Sequence, residues 1–371
     1  MTASPKRIGV GIIGYEIGRS WAAVAHVPAL QALPDFEIAA VATTRTDSAR
    51  AAAADIGIGM DRAFASAAEL AACPHVDVVA VTVKVPHHLE LVRIAAAAGK
   101  HVYCEWPLGN GVAEAEEMAA LVAKQGVHGV IGLQARCSPP IGYVRDLIAD
   151  GAIGEVLSSN MFATGIMWGD WVDRPNAYLL EAKNGATLLS IPFGHAVDAM
   201  CFCLGEFRSV AATAAIRIPR VRLVETGEML HKTTPDQIAV TGILSSGAVA
   251  VVHYRGGSSR GANFVWEING TRGDLRLEAS HGHAQMQSLA LSGGFGAERT
   301  LLHLQVPAKY RWVPDTIKNP ALNVAQVYRR LAKDLRAGGS TTAAGFDTAV
   351  VRHRLLCAIE NAAATGRTIN L

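Results

Sequence analysis

The first residues of this 371-residue chain with chemical potential are Gly14-Tyr15-Glu16-Ile17-Gly18-Arg19, between an apolar run and an alanine-rich helical segment. A turn of this kind gathers free backbone N–H groups and the positive end of a helix dipole at one spot, which attracts an anion. A dinucleotide pyrophosphate is the usual occupant, which would place Gly14, Tyr15, Glu16 and Ile17 against it. Gly9, Gly11 and Gly14 match G-x-G-x-x-G literally, but most of that match lies inside the apolar run. In the working frame Glu16 stands where a second glycine would be. The loop therefore reads either as a degenerate phosphate cradle or as a tight strand-to-helix turn.

A second group, Thr43-Thr44-Arg45, ends the next apolar run. An Asp or Glu roughly 20–30 residues beyond the glycine loop would mark the NAD ribose. None stands here. Two hydroxyls and a guanidinium suit a 2′-phosphate, so NADP is the expected cofactor and NAD the alternative. Arg45 also reads as a solvated loop arginine, and Asp47, the fallback acid, as a helix cap.

The thirteen histidines and six cysteines contain neither H-E-x-x-H nor C-x-x-C. His87-His88 and His281-Gly282-His283 are the close histidine pairs, and neither has ligand spacing, so no metal is expected. The thiols read as buried and reduced. A net charge of +2 without a long basic run excludes a nucleic-acid footprint and a polybasic membrane anchor. The N-terminal MTASPKR leads directly into the first strand, with no signal peptide and no run of 18 apolar residues. A cytoplasmic location is expected.

Positioning these groups requires a regular scaffold. Apolar runs at Ile8–Ile13, Phe36–Thr43, Val76–Val83, His101–Cys104 and Val127–Leu133 alternate with helical segments, and Met60–Phe64 adds a short strand. That pattern predicts βαβ units and a parallel sheet whose ligands lie beyond the C-terminal strand ends. After a helix over Pro139–Ala149 the pattern changes. Glu155–Thr164, Arg208–Ile218, Gln237–Leu244, Ala248–Tyr254, Ala262–Asn269 and Asp274–Glu278 read as strands joined partly by hairpins. Helices are expected over Thr187–Cys203, Asn323–Ala337 and Phe346–Thr365. The predicted class is α/β: a Rossmann domain over 1–134, then an α/β domain over 135–371 with a mostly antiparallel sheet, which the resemblance described next implies to be open.

Gly99-Lys100-His101-Val102-Tyr103-Cys104-Glu105-Trp106-Pro107-Leu108, with the strand-loop-helix start, resembles the glucose–fructose oxidoreductase and inositol dehydrogenase (Gfo/Idh/MocA) family. The family's usual lysine is Trp106 here. A fungal, galactose-regulon repressor-like branch shares that tryptophan and a first loop lengthened between Gly14 and His26. Further similar segments are Ile131–Arg136, Phe193-Gly194-His195 with Asp198, and Thr271–Leu275.

The resemblance implies a nicotinamide cofactor beside a sugar- or polyol-like substrate. It makes His195 the catalytic acid–base candidate, with Asp198 one helical turn on to orient it. The family's second polar position is Ile191 here, next to Ser190. Val83, Lys84 and His88 are expected along the middle of the cofactor, with Glu105, Trp106 and Gln134 nearer the nicotinamide. Trp106, Trp168 and Trp171, with His195 and Asp198, are the expected substrate contacts. Arg136 is left between a nicotinamide contact and an ion pair. The open sheet implies a homodimer or homotetramer. Three functions stay open: an oxidoreductase, a dinucleotide sensor without turnover, and a scaffold with a vestigial site.

Overall fold

The computed structural model describes residues 6–337 and 342–371, which form two compact units. The first comprises 6–134 and the described part of 312–351; the second comprises 135–311 and 352–371.

In the first unit, strands β1 (Ile8–Ile13), β2 (Phe36–Ala42), β3 (Ala63–Phe64), β4 (Val78–Val81), β5 (His101–Glu105) and β6 (Gly129–Gly132) make one parallel sheet. Their order is β3-β2-β1-β4-β5-β6, so the order reverses beside β1, where a doubly wound sheet opens its ligand crevice. Val10, Ile12, Val78, Val79, Val102 and Val130 are buried, as expected of strands covered on both faces. Gly9 and Gly11 are packing residues: a Cβ on Gly9 would lie 1.9 Å from the His75 carbonyl oxygen, and one on Gly11 2.6 Å from Leu70.

The helices are α1 (Val27–Gln31), α2 (Thr46–Ile56), α3 (Ala67–Ala72), α4 (His88–Ala97) and α5 (Val112–Gln125). Two departures from the sequence pattern occur. The segment expected to be helical from Ser20 opens as a wide π turn over Ala22–His26 before α1, which has Pro28 in its first turn. The six-residue α3, capped by the Ser66 hydroxyl on Glu69 N–H at 3.2 Å, was too short to show periodicity.

A returning segment completes this unit. Helix α8 (Ala321–Ala337) buries Tyr328 against Tyr103 at 4.9 Å and Phe36 at 5.2 Å. Ile131 N–H bonds the Ala344 carbonyl at 2.9 Å.

The second unit holds α6 (Pro139–Ala149), α7 (Gly194–Leu204) and a nine-stranded sheet. Its strands are β7 (Val156–Gly165), β9 (Phe207–Ala215), β12 (Gln237–Leu244), β13 (Val249–Gly256), β14 (Phe264–Gly270), β15 (Gly273–Ala279), β16 (Ala290–Phe295), β17 (Leu302–His303) and β18 (Ile369–Asn370). They run in the order β17-β16-β15-β14-β7-β13-β12-β9-β18. All pairs are antiparallel except β7 with β13, so the sheet is mixed. Buried Trp266 ties β14 to β7 by donating to the Ser159 hydroxyl at 2.9 Å.

The sequence pattern also missed a three-stranded sheet of β8 (Trp171–Val172), β10 (Arg220–Leu223) and β11 (Met229–His231). It packs Val172, Leu180, Val221 and Leu223 together. The fully buried Lys232–Asp236 pair, 2.9 Å apart, borders it. Asp236 also accepts the Arg217 and Ile218 amides. Burial alone would raise this carboxyl, but the Lys232 hydrogen bond and those amides hold it below its ordinary value. Helix α9 (Phe346–Thr365) is followed by β18.

Among the described residues, no helix is long and apolar enough to cross a membrane, and no group of three His, Cys, Asp or Glu could hold a metal ion.

Candidate functional site

In the first unit the site begins where β1 ends. Gly14 has φ +102°, and a Cβ there would meet Val83 at 2.6 Å; Gly18, at φ +67°, has open space around it. Left-handed conformations favour glycine, so both positions are fixed by the turn. The Ser20 hydroxyl accepts the Glu16 amide at 2.9 Å and the Ala23 amide at 3.2 Å, shaping the loop from inside. The amides of Tyr15, Ile17 and Gly18 donate to no acceptor among the described residues. Orphan donors in a glycine-shaped loop fit a pyrophosphate. The side chains of Glu16 and Ile17 are exposed, whereas Tyr15 is buried with its hydroxyl on the Asp55 carboxylate. Burial and that acid push the Tyr15 phenol up to about 12. Tyr15 therefore offers its backbone, not its ring.

At the end of β2, the Thr43 hydroxyl bonds the Arg45 carbonyl at 2.9 Å and Ser48 at 2.7 Å, which sets the turn into α2. Thr44 and Arg45 are exposed, and the Arg45 guanidinium has no partner among the described residues. A 2′-phosphate fits a free cation in that position.

Beyond β4, Val83 is half-buried and Lys84 exposed. His88 differs from expectation. It is buried, with Nε2 at 3.0 Å from the Val83 carbonyl and Nδ1 at 3.0 Å from that of Pro107 and 3.1 Å from that of Leu108. Burial holds its ring below the ordinary value against the pull of those carbonyls. His88 thus fastens the loops after β4 and β5 to each other.

Glu105 and Gln134 also turn inward. Glu105 accepts from Gln134 Nε2 at 2.7 Å and pairs with His26 Nε2 at 2.7 Å, while His26 Nδ1 meets the Tyr328 hydroxyl at 2.8 Å. Gln134 and His26 are fully buried, so Gln134 has no surface to offer a ligand. The Glu105 carboxylate is the hub of a polar network that ties β5 to α8. Trp106 is 5% exposed, joined to Pro107 by a cis peptide. Most of its indole is already in contact with protein.

In the second unit, α7 is apolar almost throughout and nearly all buried, which fixes the two polar residues in its first turns. Ile191 and Ser190 precede it in a π turn over Leu189–Phe193 that holds Pro192, replacing the expected regular helix from Thr187. The Ser190 hydroxyl donates to the Gly185 carbonyl at 2.6 Å. His195 is buried.

Asp198 is fully buried and engaged in ion pairs. Arg136 grips it through Nε at 2.8 Å and Nη2 at 2.5 Å, and Arg352 Nε approaches at 3.3 Å. Arg352, itself buried, also clasps Glu206 at 2.8 and 3.0 Å. Burial raises the Asp198 carboxyl, but the two guanidinium groups outweigh that and hold it below the usual range. Arg136 is accordingly an ion-pair residue.

Trp168 is buried and stacks on His283, ring centroids 6.0 Å apart, whereas Trp171 is exposed on β8. His283 was read in the sequence only as half of a pair. Burial, followed by the nearby His281 and His195, pushes its ring down to about 3, so it is neutral. Tyr254 connects the two histidine segments: its ring packs on Phe193 at 5.6 Å and its hydroxyl donates to the Gly282 carbonyl at 2.9 Å. Sequence reasoning also missed His26, Arg352 and Glu206. Only the alternation of a charged residue with an apolar stripe could have signalled Arg352, and α9 has no clear stripe.

Residues 8–132 match the pattern described as "Oxidoreductase family, NAD-binding Rossmann fold", and 139–279 match "Gal80p, C-terminal domain". The chain is 30% identical to the dehydrogenase aclE of Aspergillus oryzae over 98% of both proteins. It is 31% identical to the galactose/lactose metabolism regulatory protein GAL80 of Kluyveromyces lactis, over 78% of this chain and 67% of that protein. The crystal structure of a super-repressor mutant of Gal80p from Saccharomyces cerevisiae superimposes with a TM-score of 0.88, at 24% identity and 98% coverage of both chains.

Proposed function

The chain belongs to the Gfo/Idh/MocA oxidoreductase family, and from that premise we propose that it is an NADP-preferring oxidoreductase acting on a sugar or related polyol. The observation that carries this reading is the loop at Gly14–Gly18. The amides of Tyr15, Ile17 and Gly18 donate to no acceptor among the described residues, and Arg45, whose guanidinium has no partner among them, stands at the neighbouring strand end. End-to-end similarity to a dehydrogenase supports turnover.

The nicotinamide, when bound, supplies the hydride chemistry. This chain's residues would do the rest. The Tyr15, Ile17 and Gly18 amides hold the pyrophosphate, and Arg45 with Thr44 selects the 2′-phosphate. His195 takes or returns the proton of the substrate hydroxyl. An indole cannot do so, because its N–H only donates, and this leaves Trp106 a shape-setting role.

A second reading, a dinucleotide-responsive regulator without turnover, is favoured by Trp106 and Ile191. Both are apolar where the resemblance implies polar groups. A screen of sugars and polyols with both nicotinamide cofactors, read by absorbance of the reduced ring, separates the two. Turnover that His195→Ala lowers by about 10²–10⁴ supports the enzyme. Cofactor binding with no turnover on any substrate supports the regulator.

A further inference from the structure

We propose that the cleft along α8 is a second binding site of the first unit, suited to a multivalent phosphate anion. It encloses about 960 Å³ and is lined by Trp312, Arg329, Arg330, Lys333, Arg336 and Thr342. Among the described residues no carboxylate lines it. Helical geometry accounts for the gathering: residues four and seven apart stand above one another on one face, so 329, 333 and 336 form a row. Arg330 stands beside it.

The cations are held, not merely displayed. Asp35, with its side chain 8% exposed, accepts from both Arg329 and Arg336, so a single buried acid anchors the two ends of the row. Arg330 Nη1 donates to the Thr342 carbonyl at 2.8 Å, and its guanidinium lies 4.6 Å over the Trp312 ring. The Trp312 amide in turn donates to the Gln326 side chain at 2.7 Å. Lys333 is exposed and donates to no acceptor among the described residues. Asp334 is buried and directed onto the Thr342 and Ala343 amides, so it does not offset the cleft's charge from within.

An ordinary solvated face intersperses both signs. Here one acid binds two of the four cations, and three of the four are fixed by contacts of their own before any ligand arrives. Fixing donors in advance lowers the entropic cost of binding. Planar guanidinium forks fit phosphate oxygens in pairs, and the ammonium of Lys333 adds a point charge. The exposed edge of Trp312 would let the same site take either inorganic polyphosphate or the phosphate tail of a nucleotide, with the base stacked on the indole.

The test is calorimetry on the full chain at about 150 mM salt, where exposed charges farther apart than about 8 Å are screened. Tripolyphosphate and ATP are titrated with and without saturating NADP, which occupies the Gly14 loop. The expected result is saturable binding of one anion per chain, undiminished by NADP and weakened about tenfold by Lys333→Gln. The scale is that of one charge-assisted contact. ATP binding weakened by Trp312→Leu with tripolyphosphate unaffected assigns a nucleotide; equal response of the two probes assigns the phosphate chain alone. Circular dichroism checks that each variant is folded. Binding that NADP abolishes, or an affinity unchanged in folded Lys333→Gln and Lys333→Glu, overturns the proposal.

Discussion

Asp198 carries a heavy electrostatic load in the second unit, because two guanidinium groups, those of half-buried Arg136 and buried Arg352, converge on its one carboxylate. Removing one partner of a buried ion pair leaves the other desolvated without compensation, at a cost of about 3–5 kcal/mol. Asp198→Ala should lower stability by that amount, measured by urea unfolding. The pH dependence follows from its depressed folded pKa. The contribution is fully present above the unfolded value of about 3.9 and is lost as pH falls through the lower folded value. Asp198→Asn should therefore flatten the acid limb of stability below about pH 4, with little change in shape near neutrality. Arg45 makes the opposite kind of prediction, since it is exposed and has no partner among the described residues. Arg45→Ala should leave stability unchanged and weaken NADP binding by about 1.5–3 kcal/mol, with NAD binding little altered. Equal affinity of the unmutated protein for both cofactors, by calorimetry, would count against it.

The same contrast shows which residues the sequence could assign. Arg45 and Gly14 act through local backbone position, and their spacing from the first strand is visible in the chain. His88, Glu105, Gln134 and Asp198 are read as ligand contacts because they lie at strand ends or beside a histidine. Their partners, however, lie 5 to 154 residues away: His88 with Val83, and Asp198 with Arg352. No single-chain pattern encodes such pairings. Polar residues at a strand end have two outlets, the crevice and the interior, and only packing decides between them.

At the scale of elements, the long periodic segments were legible. Helices over Pro139–Ala149 and Phe346–Thr365 and the strand Gln237–Leu244 stand where their patterns put them. The π turns at Ala22–His26 and Leu189–Phe193 were not, because they share helical composition. The two-residue strands β8, β17 and β18 are too short to alternate, whereas β3 falls within the short strand read at Met60–Phe64. Helix α8 shows how an element can look ordinary and matter greatly. Its Tyr328 touches Tyr103, Phe36 and His26, three separate parts of the parallel-sheet unit. Tyr328→Ala should cost about 3–5 kcal/mol, the range for deleting a large buried aromatic ring. Guanidinium unfolding followed by far-ultraviolet circular dichroism measures it; a loss under 1 kcal/mol would mean the clasp is dispensable.

At the scale of the whole molecule, strand β13 of the nine-stranded sheet carries exposed apolar side chains. Val249 and Val251 are 45% and 40% exposed, while Ala250, Val252 and Tyr254 on the same strand are buried. Exposed apolar patches mark interfaces. Light scattering at micromolar concentration should give a multiple of 39.1 kDa. Val249→Lys with Val251→Lys should reduce it to a single chain while the fold is kept, since neither residue is in the core.

The return of the described part of 312–351 to the parallel-sheet unit also fixes an order of events during biosynthesis. The first six strands leave the ribosome long before Tyr328 and Phe346 do. At roughly 5–20 residues per second, the delay is on the order of ten seconds or more. Throughout that interval the faces of Phe36, Tyr103 and Gly129 that those residues will cover stay open to water. The nascent dinucleotide-binding half is then a sticky, unfinished body, and a chaperone that shields aromatic surface has its longest opportunity there.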